Sequence, residues 1–99
     1  MSRVSSLTVR FRIEPDGPTL TVSGRDAWAL QCLVDAGERG VTPLDTPGPR
    51  WSGYVHNLRK AGLVIETIHE GHSGPFPGRH ARYVLRSNVT ILDESDLAA

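Results

Sequence analysis

Between residues 50 and 60 the chain spaces Arg50, Gly53, His56, Asn57 and Lys60 so that they share one side of a helix at about 100° per residue. The residue types define a chemistry. Two cations, an amide and an imidazole carry donors suited to phosphates and base edges. A glycine among them lets a partner come close. Polar residues opposite an apolar stripe are, as often, only a solvated face. The absence of any acidic residue between Asp45 and Glu66 favours the binding reading, because a plain soluble helix mixes both signs.

A second group lies downstream. The stretch Gly71-His72-Ser73-Gly74-Pro75-Phe76-Pro77-Gly78-Arg79-His80 is longer than a hairpin needs and holds His72, Arg79 and His80, with Arg82 just beyond. Long loops on a rigid scaffold often carry binding; the plain alternative is a variable loop without a role. Formal net charge is zero, from 11 Lys+Arg and 11 Asp+Glu, but it is unevenly spread. Residues 50–87 carry six cations and two acids, and all four histidines. A local basic surface matters more for an anionic partner than the total.

Other chemistries find little support. The chain has no GxxxxGK phosphate loop and no HExxH pair. His69, His72, His80 and Cys32 include ligand types for zinc, but no CxxC pair supports them, so no metal and no cofactor are expected. Cys32 falls in an apolar helical pattern and reads as a small core residue, not a nucleophile. The single cysteine fits a reducing compartment, and no run of 18 apolar residues or signal-peptide pattern appears, so the expectation is a cytoplasmic protein without catalytic residues.

The elements that must position these residues follow from periodicity. Leu7, Val9, Phe11 and Ile13 alternate with polar residues, Pro15-Asp16-Gly17 is a turn, and Thr19–Val22 alternates again, which predicts a β-hairpin of residues 6–14 with 19–22. Arg10 and Arg12 on it are outward charges of the kind that keep a strand soluble. Ser23 with Asp26 resembles a capping box for a helix whose stripe is Ala27, Leu30, Leu33 and Val34, flanked by Trp28 and Cys32 and ended by Gly37. Gly40-Val41 reads as a short extended piece. Thr42-Pro43-Leu44-Asp45 is a second helix start, and that helix must be short because Thr46-Pro47-Gly48-Pro49 breaks it. Pro49 suits the first position of a third helix that buries Trp51, Val55 and Leu58, with Tyr54 and Ala61 at the edge, and ends at Gly62. Two antiparallel strands, residues 63–70 and 81–86, flank the long loop. Residues 88–92 read as a last strand that pairs with the hairpin, and Asp93-Glu94-Ser95-Asp96 as a solvated acidic tail.

The stretch Arg50-Trp51-Ser52-Gly53-Tyr54-Val55-His56-Asn57-Leu58-Arg59-Lys60-Ala61-Gly62-Leu63-Val64-Ile65-Glu66-Thr67 resembles the Arg-x-Ser-x-x-(Ile/Val)-x-x-Leu-Arg-Lys-x-Gly-x-x-Ile-Glu-Thr signature of small helix-turn-helix proteins of bacteriophages and proteobacteria. With the order of elements, it resembles the winged helix-turn-helix family over residues 23–87. The resemblance implies an α+β winged helix core over 23–87; the chain departs from it by a very short second helix and by an additional N-terminal β-hairpin, so the expectation is one domain over 1–99, with 1–22 as the hairpin extension and 88–99 as the C-terminal strand and tail. It implies that residues 49–61 form a recognition helix that enters the major groove, and that 71–81 form a wing on the backbone or minor groove.

The function so implied is sequence-selective binding of double-stranded DNA by a small bacterial or phage transcriptional regulator. Arg50 and Asn57 are expected to read base edges, with Gly53 allowing close approach. His56 and Lys60 would contact bases or nearby phosphates, Ser52 and Arg59 would hold phosphate at the flanks, and Arg79, His80 and Arg82 would anchor the wing. A homodimer through the hairpin or the C-terminal strand is the partner expectation besides DNA, because a monomer of this size covers only a short site. Two other classes compete: a winged-helix module that docks a protein, which neutrality and the extra hairpin favour, and an architectural DNA binder with little sequence preference.

Overall fold

The computed structural model describes residues 7–46, 50–72 and 78–96, with 72, 79 and 94–96 described by backbone alone. Alternation builds the first element as expected. Strand β1 (Leu7–Ile13) pairs antiparallel with β2 (Thr19–Ser23), placing Val9 opposite Val22 and Phe11 opposite Leu20. Val9 and Phe11 are fully buried. Helix α1 (Gly24–Ala36) follows with Ser23 at its cap position, although the Ser23 side chain makes no capping hydrogen bond. Its buried residues are Ala27, Ala29, Leu30 and Leu33; Val34, expected in the stripe, is half-buried. Gly37 closes the helix in the left-handed region at φ 58°, as sequence predicts.

A short 3-10 turn, Gly37–Arg39, leads to Val41, which bridges antiparallel to Tyr83. Gly40 is obligatory here. Its φ is 75°, and an added Cβ would lie 2.8 Å from both the Tyr83 carbonyl oxygen and Val84 Cγ2.

The expected second helix is not formed. Thr42 caps as foreseen, its Oγ1 accepting from the Asp45 amide at 3.0 Å, and the Thr46 amide donates to the Thr42 carbonyl at 2.9 Å. That closes a single turn over residues 43–45. One turn is a nucleus without propagation, because Pro47 follows too soon for the helix to extend. Pro49, expected at the first helical position of the next element, lies outside the described residues.

Helix α2 (Trp51–Lys60) buries Trp51, Tyr54, Val55 and Leu58. It ends at Ala61 and Gly62, the latter at φ 109°. Strands β3 (Ile65–His72) and β4 (Gly78–Leu85) pair antiparallel from Ile65–Leu85 out to His72–Gly78. The ladder therefore runs further into the Gly/Pro-rich stretch than the predicted loop of residues 71–80 allowed. Residues 73–77 at its tip lie outside the described residues.

Strand β5 (Val89–Asp96) pairs with β1, completing a sheet of order β2-β1-β5. The pairing with the hairpin matches expectation. The acidic tail does not: residues 93–96 continue the strand, with Asp93 opposite Arg10 and their side chains 2.6 Å apart. Long-range pairing with β1 supplies the order that local composition withholds. The core joins this sheet to the helices, running from Val9 and Phe11 through Leu30 and Leu33 to Val55, Leu58, Leu63, Ile65 and Tyr83. The hairpin is thus built into the core that seats α2. Thr42 is the one buried polar side chain among the described residues.

Candidate nucleic-acid interface

Helix α2 is clamped on its inner side by aromatic rings. Trp51 lies 5.4 Å from Trp28 of α1, 5.8 Å from Tyr54 and 6.3 Å from Tyr83 of β4, the last pair stacked at 22°. Trp28 meets Tyr54 edge-on at 6.2 Å. Each such pair contributes about 0.5–1.5 kcal/mol beyond simple burial. The indole N–H of Trp51 donates to the Thr46 carbonyl at 2.7 Å, which fixes the preceding turn to the helix. With the inner face so held, the outer face has a defined direction.

That outer face carries the predicted residues. Arg50, Ser52, His56, Asn57, Arg59 and Lys60 are exposed and Gly53 is half-buried. Arg50 stands at the cap position, its carbonyl accepting from the amides of Gly53 and Tyr54. Its side chain passes over Gly53, where an added Cβ would meet Arg50 Cβ and Nε at 3.9 Å, an ordinary contact distance. Arg59 and Lys60 occupy the last turn, where cations complement the helix dipole. Among the described residues, Arg50, His56 and Lys60 have no ion-pair partner. Asn57 and Arg59 do have intramolecular partners. The Asn57 Nδ2 donates to both carboxylate oxygens of Asp26 at 3.3 Å. The Arg59 guanidinium donates to the Ile65 carbonyl and to Thr67 Oγ1.

The β3–β4 group is organised by an acid. Glu70 stands opposite His80 in the ladder; its Oε1 lies 3.1 Å from His80 Nε2 and its Oε2 accepts from Arg82 Nε at 2.8 Å. Arg82 also donates to the Arg39 carbonyl at 2.8 Å, tying the ladder to the turn after α1. The hydrogen bond from Arg82, with a smaller one from His80, holds the Glu70 carboxyl below its ordinary range despite an opposing desolvation effect, and Glu70 in turn raises Arg82. The side chain of Arg79 lies outside the described residues; its backbone pairs with Gly71.

These contacts sort the charge. Both acids of the basic segment are engaged by arginines of β4 and its exit, Glu70 by Arg82 and Glu66 by Arg86 at 2.7 Å. The remaining formal positive charge of residues 50–87 belongs to Arg50, Arg59, Lys60 and Arg79, the first three at the start and end of α2. Elsewhere, burial and then Asp35 push the Cys32 thiol up from its ordinary value, which disfavours a reactive thiolate. Among the described residues no three His, Cys, Asp or Glu side chains are grouped for a metal, and no helix is long and apolar enough to cross a membrane.

A family model described as a winged helix domain matches residues 19–95. The chain belongs to this winged helix family. No curated protein and no solved structure matches it. The match begins at β2, so β1, the central strand of the three-stranded sheet, precedes the matched part of this winged helix. The matched part contains α1, α2 and the β3–β4 ladder. Winged helix domains are in general DNA-binding, and that is the level at which the family speaks to function.

Asp26, Glu70 and Thr67 are partners of these residues that the sequence alone does not mark. Glu70 becomes visible only once the ladder register is known. Asp26 is 31 positions from Asn57, and nothing local in sequence announces their contact.

Proposed function

We propose that this winged helix binds double-stranded DNA sequence-selectively, as a small transcriptional regulator, with α2 in the major groove and the β3–β4 wing on the backbone or minor groove. The observation that carries this reading is the sorting of charge. Ion pairs absorb Glu66 and Glu70, and three of the four cations left over stand at the start and end of a helix whose inner rings, Trp51 and Tyr54, pack on Trp28 and Tyr83. In this reading Arg50 and Asn57 meet base edges, His56 and Lys60 meet bases or adjacent phosphates, and Ser52 and Arg59 hold phosphate. Arg79, His80 and Arg82 serve the wing. A second copy of the chain, added through the exposed edge of β2 or β5, would double the site.

The test is a titration of labelled duplex DNA against rising salt. Binding that neutralises several phosphates weakens steeply as salt rises. Lys60→Ala should weaken all sequences alike and reduce the magnitude of the logarithmic salt slope by about 1. Asn57→Ala should instead flatten preference between sequences, since a good bidentate base contact supplies about 1–3 kcal/mol of discrimination. Equal weakening of specific and random DNA by both variants would refute these reading roles.

A further inference from the structure

We propose that Asp26 of α1 is a positioning residue that sets which way the amide of Asn57 faces, and so selects a base that presents an amino group in the major groove, adenine or cytosine. The inference rests on the DNA-binding reading above and assigns a base chemistry within it.

The geometry is direct. Asn57 is exposed on α2 beside α1, and Asp26 is half-buried in the first turn of α1. Both oxygens of Asp26 lie 3.3 Å from Asn57 Nδ2. A flipped amide would set Oδ1 against two carboxylate oxygens at the same distance, acceptor against acceptor, so the electrostatics admit one orientation. The nitrogen is drawn toward α1, and Oδ1, on the other branch of the planar amide, turns away from it.

The consequence concerns base edges. An outward Oδ1 is an acceptor and requires a donor. In the major groove the donors are the N6 amino group of adenine and the N4 amino group of cytosine; guanine offers N7 and O6, and thymine O4, all acceptors. Without Asp26 the amide rotates freely and can turn its donor toward guanine or thymine. The carboxylate is a poor DNA contact by itself because it repels phosphate. Its loss should therefore tighten binding generally while broadening choice at one position.

The experiment is selection from random duplex DNA by the full chain, followed by sequencing, for the wild type, Asp26→Ala, Asn57→Ala and the double variant. Circular dichroism would confirm that each is folded. The expected wild-type motif contains one position where adenine or cytosine is preferred by about tenfold, the size of one or two hydrogen bonds. Asp26→Ala should reduce that preference to about twofold at that position and nowhere else. Asn57→Ala should flatten the same position, with no further effect of adding Asp26→Ala. In the free protein, NMR should show the Asn57 side-chain amide protons shifted and more rapidly exchanging with solvent in Asp26→Ala. An unchanged motif in Asp26→Ala alongside a flattened one in Asn57→Ala would overturn the inference and leave the DNA reading standing. So would selection of guanine or thymine at the Asn57 position, or an Asn57→Ala motif identical to the wild type. A wild type that enriches no motif would overturn both, and is distinguished by failing before any substitution is made.

Discussion

The guanidinium of Arg59 donates to the carbonyl oxygen of Ile65 through Nη2 at 2.6 Å and Nε at 3.2 Å. The same Nη2 reaches Thr67 Oγ1 at 2.8 Å. This joins the end of α2 to the start of β3 across the Gly62 turn. Arginine suits the role because its planar fork presents adjacent donors to one acceptor, which a lysine ammonium cannot reproduce.

Arg59→Ala is therefore expected to lower unfolding free energy by about 1 kcal/mol. Arg59→Lys should recover less than half of that. Denaturant unfolding followed by circular dichroism measures both. A loss below experimental error in Arg59→Ala would show that this α2–β3 contact adds nothing to stability.

Gly53 separates folding from binding. A Cβ there meets nothing closer than 3.9 Å, and alanine is the better helix former. Gly53→Ala should raise stability by about 0.5–1 kcal/mol. If DNA approaches α2 closely, the same methyl should weaken DNA binding. Parallel thermal unfolding and DNA titration would show the two changing in opposite directions.

Gly40 behaves in the opposite way. Its φ of 75°, and the 2.8 Å that would separate an added Cβ from the Tyr83 carbonyl oxygen, leave no room for a side chain. Gly40→Ala should destabilise by about 2–4 kcal/mol, from backbone strain and overpacking together. Because the Val41–Tyr83 bridge is adjacent, amide exchange at Val41 and Tyr83 should rise first.

The pH response of stability follows from Glu70. Its carboxyl is held below the ordinary range, first by the hydrogen bond from Arg82. A group with a depressed folded-state pKa contributes stability that is present above its unfolded pKa and lost as pH falls through the folded value. Glu14, lowered by hydrogen bonds from Arg12 and Thr90, acts in the same direction. Stability should therefore decline on acidification below the ordinary carboxylate range. Glu70→Gln should make that decline shallower, as read from denaturation midpoints across an acid series.

Much of the fold is legible in sequence where one local period decides it. The alternation of Leu7, Val9, Phe11 and Ile13 gives β1, the stripe Trp51, Val55 and Leu58 gives α2, and Gly37 and Gly62 give their helix stops. What sequence does not reveal is decided at long range. Asp93 reads as solvated until Arg10 is found opposite it in the sheet. Thr42 carries a true cap signature, yet capping one turn does not make a helix when prolines follow. In the site, the outer face of α2 is readable because it is the complement of an apolar stripe. The hold of Asp26 on Asn57 is not, because it depends on how α1 crosses α2. The engagement of His80 and Arg82 by Glu70 depends likewise on the β3–β4 register.

In the proposed function α2 reads DNA sequence. The most direct test is selection of bound duplexes from a random pool by the wild-type chain at two salt concentrations. The expected result is an enriched motif at both, with affinity falling steeply between them; a palindromic motif would add a second copy of the chain. Salt-sensitive binding with no motif at either concentration, or no binding at the lower one, would contradict the claim.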